Sequence, residues 1–143
     1  ATPVICSEPW LYDDFGMTGA EKFKDFGRKA KQKTICITDA DHPLAGALSG
    51  TVKVSSKTNY FGWGVPGKNA IRVACLSCNP KKYVLFGYNA GTEMPGLVAP
   101  GKRVGFFMFK NSGGCLTADG WCLFDAVVDW ALEDESGTRR ASK

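Results

Sequence analysis

Three sets of side chains in this sequence are of types that bind ligands or do chemistry. The first is aromatic. Tyr60, Phe61 and Trp63 stand in the glycine-rich run NYFGWGVPG (59–67). Exposed rings offer a large contact area at low entropic cost, so they suit a sugar face or a flat aromatic ligand. Tyr88, Asn89 and Glu93 in the run YNAGTEM (88–94) would supply polar contacts to hydroxyls. The second set is cationic. Lys22, Lys24, Arg28, Lys29, Lys31 and Lys33 face only Glu21 and Asp25 within Glu21–Lys33. Such a patch suits an acidic partner: a phosphate, a sulfated glycan or an anionic surface. The third set is a thiol with a base. Cys115 and His42, with Asp41 or Glu93 as the orienting acid, hold the parts of a cysteine nucleophile. Each set also has a plainer reading. Loop aromatics pack a domain's own edge, charge runs are solvated rims, and His42 in Asp-His-Pro orders its turn.

The cysteines narrow the chemistry. They are Cys6, Cys36, Cys75, Cys78, Cys115 and Cys122. An even count in a small chain suggests pairing in an oxidising compartment. The expected pairs are Cys75–Cys78, Cys115–Cys122 and Cys6–Cys36. Oxidation of Cys115 would remove the thiolate and with it the nucleophile. Cys75-Leu76-Ser77-Cys78 also has the spacing of a zinc half-site or a redox motif. Zinc needs two further ligands, and the chain has one His and no second such pair. A redox motif opens a helix, whereas Asn79-Pro80 here begins a turn. Asp13/Asp14 and Asp39/Asp41 lack the spacing of a calcium loop, and no glycine run carries the Lys-Ser/Thr of a phosphate loop. No metal and no cofactor are expected.

The chain has 143 residues, 44% of them hydrophobic and 22% charged, with a net charge of +4. That is one soluble globular domain over 1–143. The whole net charge falls within Glu21–Lys33, which is too little to argue for nucleic acid. No apolar run is long enough for a membrane span, and no N-x-S/T sequon occurs. The start at Ala1-Thr2-Pro3 fits a mature protein whose signal peptide is gone, and simple Met removal fits too.

Positioning these residues falls to many short elements. Strands are expected at Pro3–Ser7, Thr34–Thr38, Thr51–Ser56, Ala70–Leu76, Tyr83–Tyr88 and Arg103–Phe109. Ala20–Lys31 reads as a short helix or a basic loop. Asn59–Gly67 and Asn89–Gly101 read as loops. His42–Leu48 reads as one or two helical turns, capped by Asp41 and closed by Gly50. The clearest element is a helix over Ala118–Leu132 with Thr117 as its N-cap. Its polar positions, Asp125 and Asp129, form one narrow stripe, so it should be buried on most of its surface with both Trp121 and Trp130 in the core. Strands with one buried terminal helix suggest an α/β layered domain.

Five segments carry a resemblance. They are ITDADHPLAGALSGTV (37–52), YFGWGVPG (60–67), VLFGYNAGTEM (84–94), APGKRVGFFMF (99–109) and LTADGWCLFDAVVDWAL (116–132), with WLYDDFGMTG (10–19) as a weaker sixth. In this order they resemble the C-terminal part of ThuA-like, class I glutamine-amidotransferase-like domains of secreted bacterial proteins. The resemblance implies a reduced flavodoxin-like layered sheet with one strongly buried C-terminal helix. It also implies truncation, because family domains begin with a further strand–helix–strand portion. A homodimer or a second chain would then complete the sheet, since edge strands are rarely left bare. The family's nucleophile elbow would read G-x-C-x-G, and here Thr117 stands in place of the second glycine after a loop too long for a tight elbow. The expectation is a secreted, non-enzymatic binding protein for a carbohydrate or other small, aromatic or anionic, ligand. The alternatives are a cysteine-hydrolase remnant using Cys115 and His42, and a structural or matrix protein.

Overall fold

A computed structural model describes residues 2–77 and 79–133. Its strands are β1 (Val4–Cys6), β2 (Phe26–Gln32), β3 (Thr34–Ile37), β4 (Gly50–Lys53), β5 (Asn59–Gly64), β6 (Ile71–Leu76), β7 (Asn79–Tyr88) and β8 (Arg103–Phe106), followed by helix α1 (Ala118–Leu132). The strands form one mixed sheet ordered β1-β8-β7-β6-β3-β4, with β5 joined to β7 at Gly64–Tyr83 and carrying β2. Among the described pairings between these strands only β1–β8 is parallel, and an isolated bridge between Lys22 and Phe26 is parallel too.

Strand alternation sorts the sheet's side chains into two layers. Ile35 and Ile37 of β3 face α1, together with Val52, Val104 and Phe106, and meet Leu123, Val127 and Trp130 of the helix. Cys36, between the two isoleucines, points the other way. That second face holds Tyr83, Phe86 and Tyr88 and is covered by the segments carrying Tyr12, Met17, Met94 and Ala99. A bulge in β7 breaks the alternation. The register moves from Ala74–Leu85 to Cys75–Tyr83, so Val84 is an extra residue. Val84 and Leu85 consequently both enter the helix-side core. Tight packing of the opposite face depends on Gly105, where any Cβ would run into the Phe86 ring.

Helix α1 matches its expected limits and cap. The Thr117 hydroxyl accepts from the Gly120 amide at 3.1 Å and donates to the Lys53 carbonyl at 2.7 Å. Its burial is narrower than expected. Trp130 is in the core, but Trp121 is 45% exposed. Trp121 stands four residues before Asp125 and eight before Asp129, on the same solvent stripe.

Three local expectations are corrected. The basic segment Ala20–Lys31 forms a tight turn and then strand β2, because Phe26 and Gly27 pair with Gly64 and Trp63. The run Asn59–Gly67 is a strand through Gly64, not a loop. The turn after Thr38 is a single 3-10 turn, Pro43–Ala45, whose cap is His42 instead of Asp41 and whose closing residue is Gly46 at φ 58°.

Candidate functional site

The aromatic set does not form a platform. Phe61 and Trp63 alternate inward along β5 and are 0% and 2% exposed. The Phe61 ring lies 4.8 Å from that of Phe107. Gly62 and Gly64 between them leave room for Pro9 and Tyr12 to press on the strand's other side. Tyr60 is half-buried, with the Arg28 guanidinium 4.5 Å over its ring. Tyr88 is fully buried. Its hydroxyl donates to the Met17 carbonyl at 2.6 Å and accepts from the Gly67 amide at 2.8 Å, tying two covering segments to the sheet. Burial pushes its pKa up, so it stays a donor at neutral pH. Asn89 and Glu93 are exposed nearby, but the rings they were to assist are in the core. The i, i+2 spacing of Phe61 and Trp63 is the signal that could have revealed this.

Cys115 and His42 are not brought together. Cys115 precedes Thr117 at the start of α1, and the His42 ring lies 5.9 Å from that of Trp130 near its end. Trp130 lies thirteen residue steps along from Thr117, about 20 Å at 1.5 Å per residue. His42 Nδ1 accepts from the Leu44 amide at 3.1 Å, so it orders its own turn. Burial lowers the His42 pKa, with Asp39 opposing that shift.

The expected disulfides are not formed either. Cys6 and Cys75 are buried thiols, and Cys115 and Cys122 are half-buried thiols. Cys6 on β1 and Cys36 on β3 are separated by β8, β7 and β6. Four strand spacings make roughly 19 Å, well past the ~7 Å between Cα atoms that a disulfide spans. The Cys122 thiol turns away from Cys115 and donates to the Gly46 carbonyl at 3.4 Å. Cys36 is disulfide-bonded. Cys78 lies outside the described residues.

The cationic set divides. Lys22 sits 5.0 Å over the Trp10 ring, while Lys29 and Lys31 are exposed along β2 and Lys33 is half-buried beyond it. Lys24 instead lines the rim of a cavity of about 500 Å³, whose lining also includes Arg72, Lys81 and Lys82. Asp25 is the single carboxylate lining it, and Val65 and Pro66 give it an apolar wall. Four dispersed segments build this site. The Val65 amide donates to the Asp25 carbonyl at 2.8 Å, docking the turn before β2 onto the end of β5. The Arg72 guanidinium donates to the Gly67 carbonyl at 2.6 Å and the Ala70 carbonyl at 3.3 Å, which fixes the turn beside the cavity. The Asn79 side chain accepts from the Lys81 amide at 3.0 Å and sets the direction of β7. The Lys82 ammonium lies 4.4 Å over the Trp63 ring. Lys24 pairs with Glu21 at 3.2 Å, and that carboxylate holds its pKa up. The lining therefore holds four cations against Asp25, of which Lys24 is paired with Glu21 and Arg72 is tied to backbone carbonyls, leaving Lys81 and Lys82 beside an apolar wall as the setting for an anionic ligand.

Arg72, Lys81 and Lys82 were missed because their charges cancel against distant acids in the overall sum. A smaller cavity, about 360 Å³, lies beside Glu93, Lys68 and Asn69. Among the described residues, no group of three or more His, Cys, Asp or Glu is placed to hold a metal, and no helix is long and apolar enough to cross a membrane. Compared with known proteins, the chain matches no family model, no curated protein and no solved structure.

Proposed function

We propose that this is a non-enzymatic binding protein for a small anionic ligand, held in the cavity between the turn before β2 and the start of β7. One observation carries the reading: Lys24, Arg72, Lys81 and Lys82 converge on a cavity of about 500 Å³ against the single carboxylate of Asp25. That volume lies within the range of small-ligand pockets. Calorimetry with citrate and glucuronate tests it. Binding that weakens steeply as salt rises supports the proposal, because exposed charges are screened within about 10 Å at 0.1 M salt. Lys81→Gln/Lys82→Gln should weaken it further. No binding of either anion at millimolar concentration leaves the structural-protein reading instead.

The finer fold reading belongs to the same proposal: a reduced flavodoxin-like layer related to ThuA-like domains. Five ordered segments and the parallel β1–β8 pair beside a terminal helix support it. The antiparallel remainder of the sheet is what a doubly wound parallel layer lacks. A second chain along β1, whose described pairing is with β8 alone, would complete such a layer. Light scattering at high concentration tests this, and a strict monomer removes it. A secreted location is part of the same proposal and is supported by the Cys36 disulfide, although Cys6, Cys75, Cys115 and Cys122 are thiols.

A further inference from the structure

We infer that the turn before β2 docks on an anionic lipid surface, with Phe23 as the apolar wedge and Lys22 and Lys29 as the cations that meet the headgroups. This surface is separate from the cavity and does not depend on it.

At 60% exposed, Phe23 is the most exposed large apolar side chain among the described residues. Its inner edge rests on Trp10, with centroids 5.6 Å apart, and beside Gly27 of β2. The rest of the ring stands in water. The turn that carries it is well fastened. The Phe23 amide donates to the Phe26 carbonyl at 2.7 Å, and the Lys24 and Asp25 amides donate to the Glu21 carbonyl at 3.2 and 2.8 Å. The Asp25 carboxylate accepts from the Glu21 amide at 2.9 Å. At the tip Phe23 has φ 63°, in the left-handed region that bulky residues avoid. A turn tied in this way presents the ring outward before any partner arrives, which lowers the ordering cost of binding.

Cations flank the ring. The Lys22 ammonium lies 5.0 Å over Trp10, the ring on which Phe23 packs. Lys29 is exposed and stands two residues on from Gly27, on the side of β2 where Phe23 lies. Neither lysine makes an ion pair among the described residues. Both acids of the segment are committed within the turn, Glu21 to Lys24 and Asp25 to the Glu21 amide. The segment Glu21–Lys33 still carries the whole net charge of +4. This pattern selects the occupant. Lysine is depleted in protein interfaces, and a single ring offers too little apolar area to form the core of one. At a bilayer the same residues are complementary. The ring enters the boundary between headgroups and acyl chains, while the lysine stems carry their ammoniums up to the phosphates. Each lysine near an anionic surface adds to the attraction.

The test is flotation of the whole chain with vesicles of phosphatidylcholine, with and without phosphatidylglycerol. The chain should float with the mixed vesicles and not with phosphatidylcholine alone, and its binding should fall as salt rises. Phe23→Gly accepts the observed φ without strain and should weaken the binding about 5- to 10-fold, whereas Phe23→Trp should retain it. Lys22→Gln/Lys29→Gln, which alters exposed side chains only, should weaken it at least about 10-fold. No flotation with the mixed vesicles, equal flotation with both kinds of vesicle, or unchanged binding in Phe23→Gly overturns the inference and leaves the cavity reading standing. Self-association of the chain that Phe23→Gly abolishes, without flotation, overturns it too and assigns the ring to a second copy.

Discussion

Two lysines lie over tryptophan rings at the same 4.4 Å, and they do different work. Lys102 is buried beneath α1, and its ammonium donates to the Trp130 carbonyl at 2.9 Å. It thus caps the helix C-terminus, where the dipole favours a cation. Lys82 is half-exposed at the cavity and makes no hydrogen bond or ion pair among the described residues. A ring beneath an ammonium does not by itself tell a structural lysine from a binding one. The distinction is whether the ammonium's remaining donors are already committed.

The largest expected effect breaks the first pair. Lys102→Met keeps the apolar stem but removes the buried charge-assisted bond. Such a bond contributes about 1.5–3 kcal/mol, and the Trp130 carbonyl keeps only its longer bond from the Glu133 amide at 3.3 Å. Allowing for the desolvation that methionine avoids, we expect about 2 kcal/mol, a fall of roughly 6–8 °C in Tm. Lys82→Met should shift Tm by less than a quarter of that. Equal losses at both sites, measured by thermal denaturation, would abolish the contrast.

Next comes the opposite side of the comparison. Lys81→Gln/Lys82→Gln should weaken citrate binding about 10-fold, or about 1.4 kcal/mol, with stability little changed. Lys102→Met should leave the affinity as it is. An affinity loss in Lys102→Met at a temperature where it is fully folded would contradict the division of roles.

A third prediction uses the neighbour of the structural pair. His42 packs on Trp130, and burial holds its pKa below the ordinary 6.5. The unfolded chain then binds more protons than the folded one between the lowered pKa and 6.5. His42 therefore lowers stability as pH falls through that window, and above it the effect is nil. Unfolding in urea at pH 7.5 and pH 5 should show a decline in stability that is smaller in His42→Asn. An identical decline in both proteins assigns the pH dependence to other groups.

The parts legible in the sequence are those whose cause is local. Thr117 caps α1 because its hydroxyl meets an amide three residues on, and the apolar runs of β7 and β8 are strands buried on both faces. Trp121 was wrongly expected in the core, although its spacing from Asp125 and Asp129 puts it on their solvent stripe. The rest depends on partners far away in the chain. β5 looks like a loop because Gly62 and Gly64 disfavour strands, yet Pro9 and Tyr12 need the space those glycines leave. The cavity joins residues 24–25, 65–66, 72 and 79–83, which no local pattern connects. Lys24 alone of the predicted cationic set reaches its lining.

The smallest effect is expected at Phe23, and it separates strain held for folding from strain held for binding. Phe23→Gly relieves a left-handed backbone that costs a side-chain-bearing residue about 1–2 kcal/mol. It also loses the edge contact with Trp10, worth about 0.5–1.5 kcal/mol, and adds freedom to the unfolded chain, worth about 0.5–1 kcal/mol. These terms nearly cancel, so stability should change by less than about 1 kcal/mol. A loss of 2 kcal/mol or more in chemical denaturation would make Phe23 a folding residue like Lys102. A near-zero change leaves the exposed ring without a structural reason to sit where glycine would fit better.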